Sequence, residues 1–400
     1  MDTQDNTHQS VQQTANQALN QTAVGIDSLT DFWTEKYLEE YIAFGGSKMK
    51  FVTGCTGSGK TFFLRVMQEK AKELGYRVAS FSAHDVWLHD FKEIYVEVLR
   101  QCDIMECLKG CSRKIIENMG YAKEEIPSEC AFIDFLAKEN MSDALNRREI
   151  RMQLKQMFLD NPLLDNNFAL ACSMLTGSIL GYPILEEQNK ELLLSWLEGD
   201  RQVKLAQLRM LGLSPSKITR YNARHMLRSL AEVIRLGGYT GLLICVDDME
   251  ILISKSSLEP LHYTKMKRED TYECFRQLID DIDSLHHVMF VCAFDRGLMD
   301  DENMGIKSYQ ALWMRIQNEI VGTRFNRFTD IVDMDRFAAQ EYTPQVIMNM
   351  SEAFARSIQL REISPIDEKG ARALLEQARL GGVGVPGLLY ETMVGGEQRE

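Results

Sequence analysis

A glycine-rich segment beginning at Gly54 constrains the fold of this chain more than any other part of its sequence. It reads Gly-Cys-Thr-Gly-Ser-Gly-Lys-Thr and fits the pattern G-x-x-x-x-G-K-[ST] at every defined position. An apolar run, Lys50–Thr53, precedes it, and a helix-prone run follows from Thr61. Glycines let backbone N–H groups turn inward around phosphates, and the N-terminus of the following helix favours anions. The segment therefore predicts a phosphate-binding loop (P-loop, or Walker A motif) between a strand and a helix.

Two side chains at the end of this loop are expected to carry its chemistry. We expect the Lys60 ammonium to bridge the β- and γ-phosphates of ATP, and the Thr61 hydroxyl to contact Mg²⁺. The predicted nucleotide-binding residues are Gly54, Cys55, Thr56, Gly57, Ser58, Gly59, Lys60, Thr61 and Phe62.

A second segment supplies the carboxylates that such a loop requires. The apolar run from Leu242 ends in Asp247 and Asp248, and Glu250 lies two residues further on. An apolar strand that ends in acids is the Walker B arrangement, so we expect Asp247 to hold Mg²⁺ directly or through water. The next acid usually polarises the attacking water. This places Asp248 first as the catalytic acid, with Glu250 as the alternative.

Short apolar runs separated by helical stretches predict an α/β fold. Near-continuous apolar strands are typical of a parallel sheet that helices cover on both faces. The predicted strands are Met49–Thr53, Arg77–Phe81, Leu242–Val246 and Val288–Phe294, with Thr329–Val332 as a fifth.

The chain divides into five predicted regions. Residues 1–25 are rich in Gln, Asn and Thr and are predicted to form a disordered polar tail. Residues 26–84 and 239–335 are predicted to be the two halves of an ATPase core. The long segment 85–238 is predicted to be an α-helical insertion in that core, and residues 336–400 a C-terminal helical lid.

Charge and cysteine content limit the kinds of binding partner and the cellular compartment that we expect for this chain. The chain has 45 Lys and Arg against 58 Asp and Glu, which excludes a uniformly basic nucleic-acid binder. Nine cysteines, an odd number, without a secretory segment are typical of reduced thiols, so we expect a cytoplasmic protein. The uncharged run 166–185 is too polar for lipid. We therefore predict a buried helix or helical hairpin there and no membrane contact.

One local block departs from this acidic average. Residues 201–231 contain no Asp or Glu but seven Lys and Arg side chains. Arg220, Arg224 and Arg228 recur every four residues and are predicted to form a stripe on one side of a helix. Such a stripe can bind phosphates of DNA or RNA, or an acidic partner. The alternative is a solvated face that pairs with the chain's own acids.

Three blocks of the sequence resemble the BREX-system ATP-binding proteins of the BrxC/BrxD type. The first block runs from Gly45 through the phosphate loop to Phe63. The second comprises Asn222–Leu230 and Gly238–Glu250, and the third is Phe275–Asp283. With gaps, the similarity extends from about Tyr37 to the run Val-Pro-Gly-Leu-Leu near the C-terminus.

This resemblance implies a P-loop NTPase of the additional-strand, AAA+-like kind that hydrolyses ATP with Mg²⁺ in bacterial anti-phage defence. It implies a homo-oligomer and partners among other defence proteins, such as a helicase, a nuclease or a methyltransferase, acting on DNA. Two positions depart from the family pattern: Asp248 replaces the usual Glu, and Val385-Pro386-Gly387 stands where the family tends to read Pro-Arg. Both departures favour an alternative, a nucleotide-gated regulatory or scaffolding module that binds ATP with little turnover.

The resemblance also suggests roles for two further residues. Asp295 follows the fourth apolar run, where P-loop ATPases of this layout place a polar sensor of the γ-phosphate; the alternative is a turn residue before a helix. Arg315 lies one helix later and is the candidate arginine finger for a neighbouring subunit's site, with Arg324 and Arg327 in reserve. The alternative for Arg315 is a surface salt bridge.

Overall fold

The computed structural model describes residues 24–122, 131–138, 143–256, 259–317, 325–357 and 364–395. Its centre is a sheet of five parallel strands. The strands are β1 Ser47–Gly54, β2 Arg77–Ser82, β3 Leu242–Asp247, β4 Val288–Asp295 and β5 Ile331–Asp333. Their order is β2-β3-β4-β1-β5, so β4 lies between β1 and β3. The predicted mixed α/β architecture with a parallel sheet is confirmed, whereas most of the predicted tail lies outside the described residues.

Helices connect the strands and cover the sheet. Before β1, helix α1 (Asp27–Trp33) continues directly into a π-helical segment, Thr34–Ile42. Helix α2 (Lys60–Glu73) follows β1, and between β2 and β3 the described chain is helical apart from its connections. The helices there are α3 Phe91–Cys102, α4 Ile104–Asn118, α5 Phe132–Lys138, α6 Asp143–Leu154, α7 Asn166–Leu180, α8 Glu187–Leu197, α9 Leu205–Met210 and α10 Ala223–Leu236.

The second half of the chain continues the alternation. A 3₁₀ segment, Met249–Ile253, follows β3 directly. The subsequent helices are α11 Lys265–Asp280, α12 Arg296–Asp300, α13 Gln310–Ile316, α14 Met334–Glu341, α15 Pro344–Ser357, α16 Glu368–Gly381 and α17 Val385–Gly395.

Both faces of the sheet are buried, which explains why its strands are apolar almost without interruption. Successive strand residues point to opposite faces. In β4, Phe290 and Cys292 pack into a core shared with helices α3 to α13, whereas Met289 and Val291 pack against α1, α2 and the C-terminal helices. A strand that contributes to two cores has no polar face, as expected for a covered parallel sheet.

The helices between β2 and β3 share one continuous hydrophobic core with the first face of the sheet. Helix α7 covers most of the uncharged run and is capped by the preceding residue, Asp165, whose carboxylate accepts hydrogen bonds from the Asn167 and Phe168 N–H groups at 3.0 and 3.1 Å. It ends before Gly181, which has a positive φ. In the part of the chain that the structure describes, no helix is long and apolar enough to cross a membrane. The region boundaries remain predictions.

The fifth strand begins two residues later than predicted. The Thr329 hydroxyl donates hydrogen bonds to the carbonyls of Asn326 and Ile331, at 2.9 and 2.8 Å, and holds residues 326–330 in a turn. The strand therefore starts at Ile331, where it pairs with Phe51 of β1. β5 therefore begins directly after this turn.

Candidate nucleotide site

The ends of the parallel strands bring the predicted site residues together at one edge of the sheet. Gly54, the last residue of β1, is paired with Asp295 at the end of β4. Asp247, the last residue of β3, is paired with Ser82 at the end of β2. Because parallel strands end on the same edge, the phosphate loop, the acids after β3 and Asp295 all face one crevice.

The phosphate loop turns directly from β1 into α2. Gly59 has a φ of +92° and precedes the first residue of α2; its carbonyl accepts the Phe63 N–H at 2.8 Å. Only glycine adopts this left-handed conformation without strain. The Ser58 hydroxyl oxygen is buried and, among the described residues, has no hydrogen-bond partner. A loop that starts a helix and holds an unpaired buried hydroxyl suits a phosphate ligand.

The ammonium group of Lys60 is buried within the loop. Its Nζ donates hydrogen bonds to the carbonyls of Gly54 and Cys55, at 3.3 and 3.1 Å, and forms an ion pair with the Asp295 carboxylate. The other Asp295 oxygen accepts a hydrogen bond from the Thr56 hydroxyl at 3.0 Å. The sheet therefore places the predicted sensor, Asp295, directly on Lys60.

Asp247 lies beside the first turn of α2. The Asp248 N–H donates a hydrogen bond to Asp247 Oδ1 at 2.9 Å, and the Thr61 side chain lies near this carboxylate. Burial raises the pKa of Asp247, although the nearby Thr61 side chain opposes this shift. A hydroxyl and a carboxylate near each other offer hard oxygen ligands of the type that Mg²⁺ takes.

The two candidate catalytic acids differ in where their carboxylates point. Asp248 has a φ of +58°, and its carboxylate accepts a hydrogen bond from the Ser82 hydroxyl at 2.7 Å. Glu250 Oε2 accepts the backbone N–H of Asp295 at 3.1 Å, on the side of Lys60. Burial raises the pKa of Glu250, against the hydrogen bonds from backbone N–H groups. Glu250 is therefore hydrogen-bonded to a member of the Lys60–Asp295 pair, whereas the hydrogen bond described for the Asp248 carboxylate comes from Ser82.

A network after β5 supports the start of the loop and was not predicted. Asp335 Oδ2 accepts the Cys55 N–H at 2.8 Å, and the Cys55 thiol donates to the other oxygen at 3.0 Å. Arg296 pairs with both Asp333 and Asp335, at 2.7 and 2.8 Å. Burial, together with the bond to Asp335, raises the pKa of the Cys55 thiol to about 12. This thiol is therefore not a ready nucleophile.

The C-terminal segment before and within α17 lies on the outer side of the loop. The Gly384 N–H donates to the Thr56 carbonyl at 3.0 Å, and the Gly387 N–H donates to the Gly57 carbonyl at 2.9 Å. A Cβ on Gly384 would lie 2.2 Å from the Ser58 nitrogen, so no larger residue fits there. A cavity of about 320 Å³ adjoins this contact, between the loop, α14, α16 and Pro386.

Further predicted site residues are one phenylalanine next to the loop and the three candidate finger arginines. Phe62, next in α2, is partly buried against the second face of the sheet. Arg315 is not brought to Lys60: its guanidinium binds the Asp280 carboxylate on α11, with Nη2 at 2.9 Å. Arg327 lies 3.6 Å from a Glu341 oxygen, and Arg324 lies outside the described residues.

The predicted stripe is not one helix face, because Arg220 precedes α10 whereas Arg224 and Arg228 lie on it, and in the described contacts only Arg220 and Arg224 reach residues in and next to α11. Arg220 lies 3.7 Å from an Asp270 oxygen. Arg224 donates to the Gln277 side chain at 2.8 Å and lies 3.6 Å from Asp281. The Nε of Arg228 is buried without a hydrogen-bond partner in the described part of the molecule. Two of the three arginines thus have acidic partners within the chain.

The structure describes no group of three or more His, Cys, Asp or Glu residues, within its resolved ranges, that could hold a metal ion by themselves. Mg²⁺ does not require such a cage, since it is commonly bound through one or two protein oxygens together with substrate phosphates. The Thr61–Asp247 pair fits this mode of binding.

Comparison with known proteins adds one match. The sequence model of the family described as BREX system ATP-binding protein BrxC/D matches residues 15–384. This span includes the phosphate loop, the acids after β3, Asp295 and Gly384. No curated protein matches the chain.

Proposed function

Because the chain belongs to the family of BREX system ATP-binding proteins BrxC/D, we propose that it binds ATP with Mg²⁺ at the Gly54–Thr61 loop and hydrolyses it to ADP and phosphate. The cycle would drive conformational change in a bacterial anti-phage defence complex that acts on DNA. The observation that carries this proposal is the convergence of Lys60, Thr61 and Asp247 at the carboxyl edge of the sheet.

The protein's own groups have distinct roles in this proposal. Backbone N–H groups of the loop and of the first turn of α2 hold the phosphates, and Lys60 neutralises the terminal two. Thr61 and Asp247 would hold Mg²⁺, which would supply positive charge against the phosphates. The buried Ser58 hydroxyl, which has no hydrogen-bond partner among the described residues, gives the loop an additional hydrogen-bonding group for a phosphate oxygen.

Water activation is assigned to Glu250 in preference to Asp248. A general base must reach the attacking water, which lies beyond the γ-phosphate on the side of Lys60. Glu250 contacts the backbone of Asp295 on that side, whereas the Asp248 carboxylate is held by Ser82. A carboxylate whose pKa is raised by burial is also a stronger base than an exposed one.

The AAA+-like assignment is part of the same proposal. It is supported by the position of β4 between β1 and β3 and by the C-terminal helices that contact the phosphate loop. In assemblies of this kind, Arg315 would reach a neighbouring subunit's γ-phosphate, for which it must leave Asp280.

A second function, a nucleotide-gated module with little turnover, is favoured by two observations. Gly387 occupies the position where the family tends to carry an arginine, and its N–H binds the Gly57 carbonyl. Lys60 is paired with Asp295, so its charge is already neutralised before a nucleotide arrives. Slow hydrolysis would still allow the bound nucleotide to switch partner binding.

Phosphate release separates the two functions. We expect the wild-type protein with ATP and Mg²⁺ to release phosphate above the level of a Lys60→Ala variant, with or without DNA. Lys72→Ala, on the same helix but exposed and paired with Glu69, is the matched control and should keep wild-type turnover. Turnover of the wild type no higher than that of Lys60→Ala under both conditions contradicts hydrolysis. Binding of ATP under those conditions would leave the gated module as the function.

DNA contact through the basic stripe is a separate part of the proposal. Replacement of Arg220, Arg224 and Arg228 by Glu should abolish salt-dependent retention on DNA, because phosphate contacts dominate such binding. Replacement of Arg100, Arg356 and Arg372 by Glu changes the net charge equally at exposed sites and is the control. Equal retention of the two triple variants would rule out a specific role of the stripe.

A further inference from the structure

The ion pair between Lys60 and Asp295 joins two residues that the nucleotide itself would have to separate. Asp295 uses both carboxylate oxygens within the loop, one on the Lys60 ammonium and one on the Thr56 hydroxyl. Its backbone N–H is held in turn by Glu250 at 3.1 Å. The side chain of Asp295 is 28% exposed, whereas that of Lys60 is 10% exposed. The aspartate can therefore swing towards solvent while its backbone stays in place.

The charges at the crevice disfavour an incoming polyphosphate. The Lys60 ammonium is paired with the Asp295 carboxylate, and its charge also opposes the burial that raises the pKa values of the Asp247 and Glu250 carboxyls, so three acids share the field of this ammonium. Like charges within a few ångströms repel strongly in a partly buried site. A γ-phosphate that binds Lys60 must replace the Asp295 carboxylate, because both anions require the same ammonium hydrogens. The β-phosphate of ADP does not extend as far and makes less demand on this contact.

We propose that Asp295 is an internal competitor of the γ-phosphate for Lys60, and that it makes nucleotide binding dependent on a divalent cation. This inference rests on the proposed ATP-binding function and concerns the control of the same site. Asp295 acts through Lys60 and is a positioning residue. In the structure it neutralises the Lys60 ammonium and holds the Thr56 hydroxyl. On ATP binding it is displaced, and the cation offsets the repulsion among the remaining acids.

The phosphate loop is also held by the C-terminal segment, which contacts the same residue, Thr56, that Asp295 holds. Thr56 donates its hydroxyl to Asp295 and accepts the Gly384 N–H at its carbonyl. Release of Asp295 therefore frees the inner side of Thr56 while the C-terminal segment still restrains its outer side. The pair is thus part of a loop conformation that exists before the nucleotide binds.

The test is nucleotide affinity of an Asp295→Asn variant, measured by fluorescence titration with N-methylanthraniloyl ATP and ADP, in EDTA and in Mg²⁺. Asparagine keeps the shape and the hydrogen bond from Thr56 but removes the charge. We expect this variant to bind the ATP probe without Mg²⁺ at least about tenfold more tightly than the wild type, because the γ-phosphate no longer competes with a carboxylate for Lys60; tenfold corresponds to about 1.4 kcal/mol. The gain should be smaller for the ADP probe and smaller again in Mg²⁺.

Asp300→Asn is the matched control, because it removes the same charge from the following helix, where Asp300 pairs with Lys307 at the surface. It should bind both probes as the wild type does. Asp295→Ala, a second neutral variant, should reproduce the gain if the asparagine variant is poorly folded. If the Asp295 variants and Asp300→Asn bind the ATP probe equally tightly, and the wild type shows Mg²⁺-dependent binding, this inference alone is overturned. If the wild type binds neither probe and does not differ from Lys60→Ala, the proposed function is overturned as well.

Discussion

The backbone conformation of Asp248 influences which of the acids after β3 lies near the phosphate loop. Asp248 takes a left-handed backbone conformation, which few residues other than glycine, Asn and Asp adopt readily. This conformation directs its carboxylate to Ser82 at the end of β2. The 3₁₀ segment that follows brings Glu250 back towards the phosphate loop, where it contacts Asp295. The Asp248 carboxylate is thus already hydrogen-bonded to Ser82, and the Glu250 carboxylate lies on the side of Lys60.

We predict that Glu250→Gln lowers ATP turnover by about 10²- to 10⁴-fold, the usual contribution of a general base. The amide keeps the size of the side chain and the hydrogen bond from Asp295, so ATP affinity should change little. Asp248→Asn, the matched control, should lower turnover less than about tenfold. Phosphate release under single-turnover conditions measures both. The opposite ranking of the two variants would assign the base to Asp248.

Lys50 is a second residue whose environment has a measurable consequence. Its side chain is fully buried in β1, where Nζ donates to the Phe328 and Thr329 carbonyls at 2.9 and 2.5 Å. The ammonium also lies over the Tyr37 ring at 4.6 Å and 3.8 Å from Asp330. Burial lowers the pKa of Lys50 from 10.5 to about 7, although Asp330 opposes the shift. The folded state therefore prefers the neutral amine above this pH.

We predict that the free energy of unfolding contains a contribution from Lys50 that increases from about pH 7 to about pH 10.5. In this window the unfolded lysine binds a proton that the folded one has lost, so higher pH favours the folded state. In Lys50→Met this increase should be absent. Urea unfolding at several pH values measures the difference.

Lys48 provides the control for this prediction. It lies two residues earlier on β1, pairs with Asp330 at 2.7 Å and is 33% exposed. Lys48→Met should therefore retain the increase in stability with pH, because the burial of Lys50, the largest cause of its lowered pKa, is unchanged. If the Lys50→Met and wild-type curves run parallel across the window, the buried lysine does not titrate as described.

At the scale of elements, the contact between the C-terminal helices and the phosphate loop depends on glycine. Gly384 approaches Ser58 so closely that backbone lies against backbone, and two N–H groups of the segment bind carbonyls of the loop. The outer face is thus covered by a segment about 330 residues away in sequence, whose position is set by the packing of α16 and α17 on the second core.

We predict that Gly384→Ala displaces this segment from the loop and lowers the free energy of unfolding by about 1–3 kcal/mol, as overpacking typically does. The new methyl would meet backbone atoms of Gly57 and Ser58, which cannot move aside as a flexible side chain would. Hydrogen exchange of residues 384–389 should accelerate. Gly381→Ala is the control, because a Cβ there meets no atom within 4 Å. Equal stability and exchange in both variants would contradict the close contact.

At the scale of the whole molecule, the described contacts of Arg315 lead to Asp280 and not to the nucleotide site. The site lies at the carboxyl edge of β1, β3 and β4, whereas Arg315 is on α13 and is 34% exposed beside Asp280. A cis role would require the arginine to reach Lys60 within one molecule, and no described contact joins them. A role in a neighbouring molecule is consistent with its position on the surface.

We predict that a mixture of Lys60→Ala and Arg315→Ala subunits recovers part of the ATP turnover that each variant lacks alone. The first subunit supplies an arginine and the second an intact phosphate loop, so a mixed assembly contains complete sites. Phosphate release as a function of the mixing ratio measures this recovery. Arg356→Ala, an exposed arginine paired with Glu352 on α15, should be as active as the wild type by itself. Failure of the mixture to exceed the sum of its components would contradict a role in trans.

Several features of this protein are determined by short-range sequence patterns. The phosphate loop is one, because its glycines, lysine and threonine act within eight consecutive residues, 54–61. The apolar strands are another, since burial on both sheet faces requires an unbroken apolar run. The acids after β3 were identified for the same reason, as they directly follow such a run. The boundaries of β5 were less well predicted, because a side-chain hydrogen bond in a turn decides where it begins.

The contacts that control the site depend on tertiary structure alone. Lys60 and Asp295 are 235 residues apart, and Cys55 and Asp335 are 280 apart, so no local pattern relates them. Sequence indicated an acid at the end of β4 but not that it would neutralise the loop lysine. It indicated a departure at Gly387 but not that the neighbouring Gly384 would touch the loop. Only the parallel order of the strands, which brings distant strand ends to one edge, and the packing of the last helices on the second core decide these contacts.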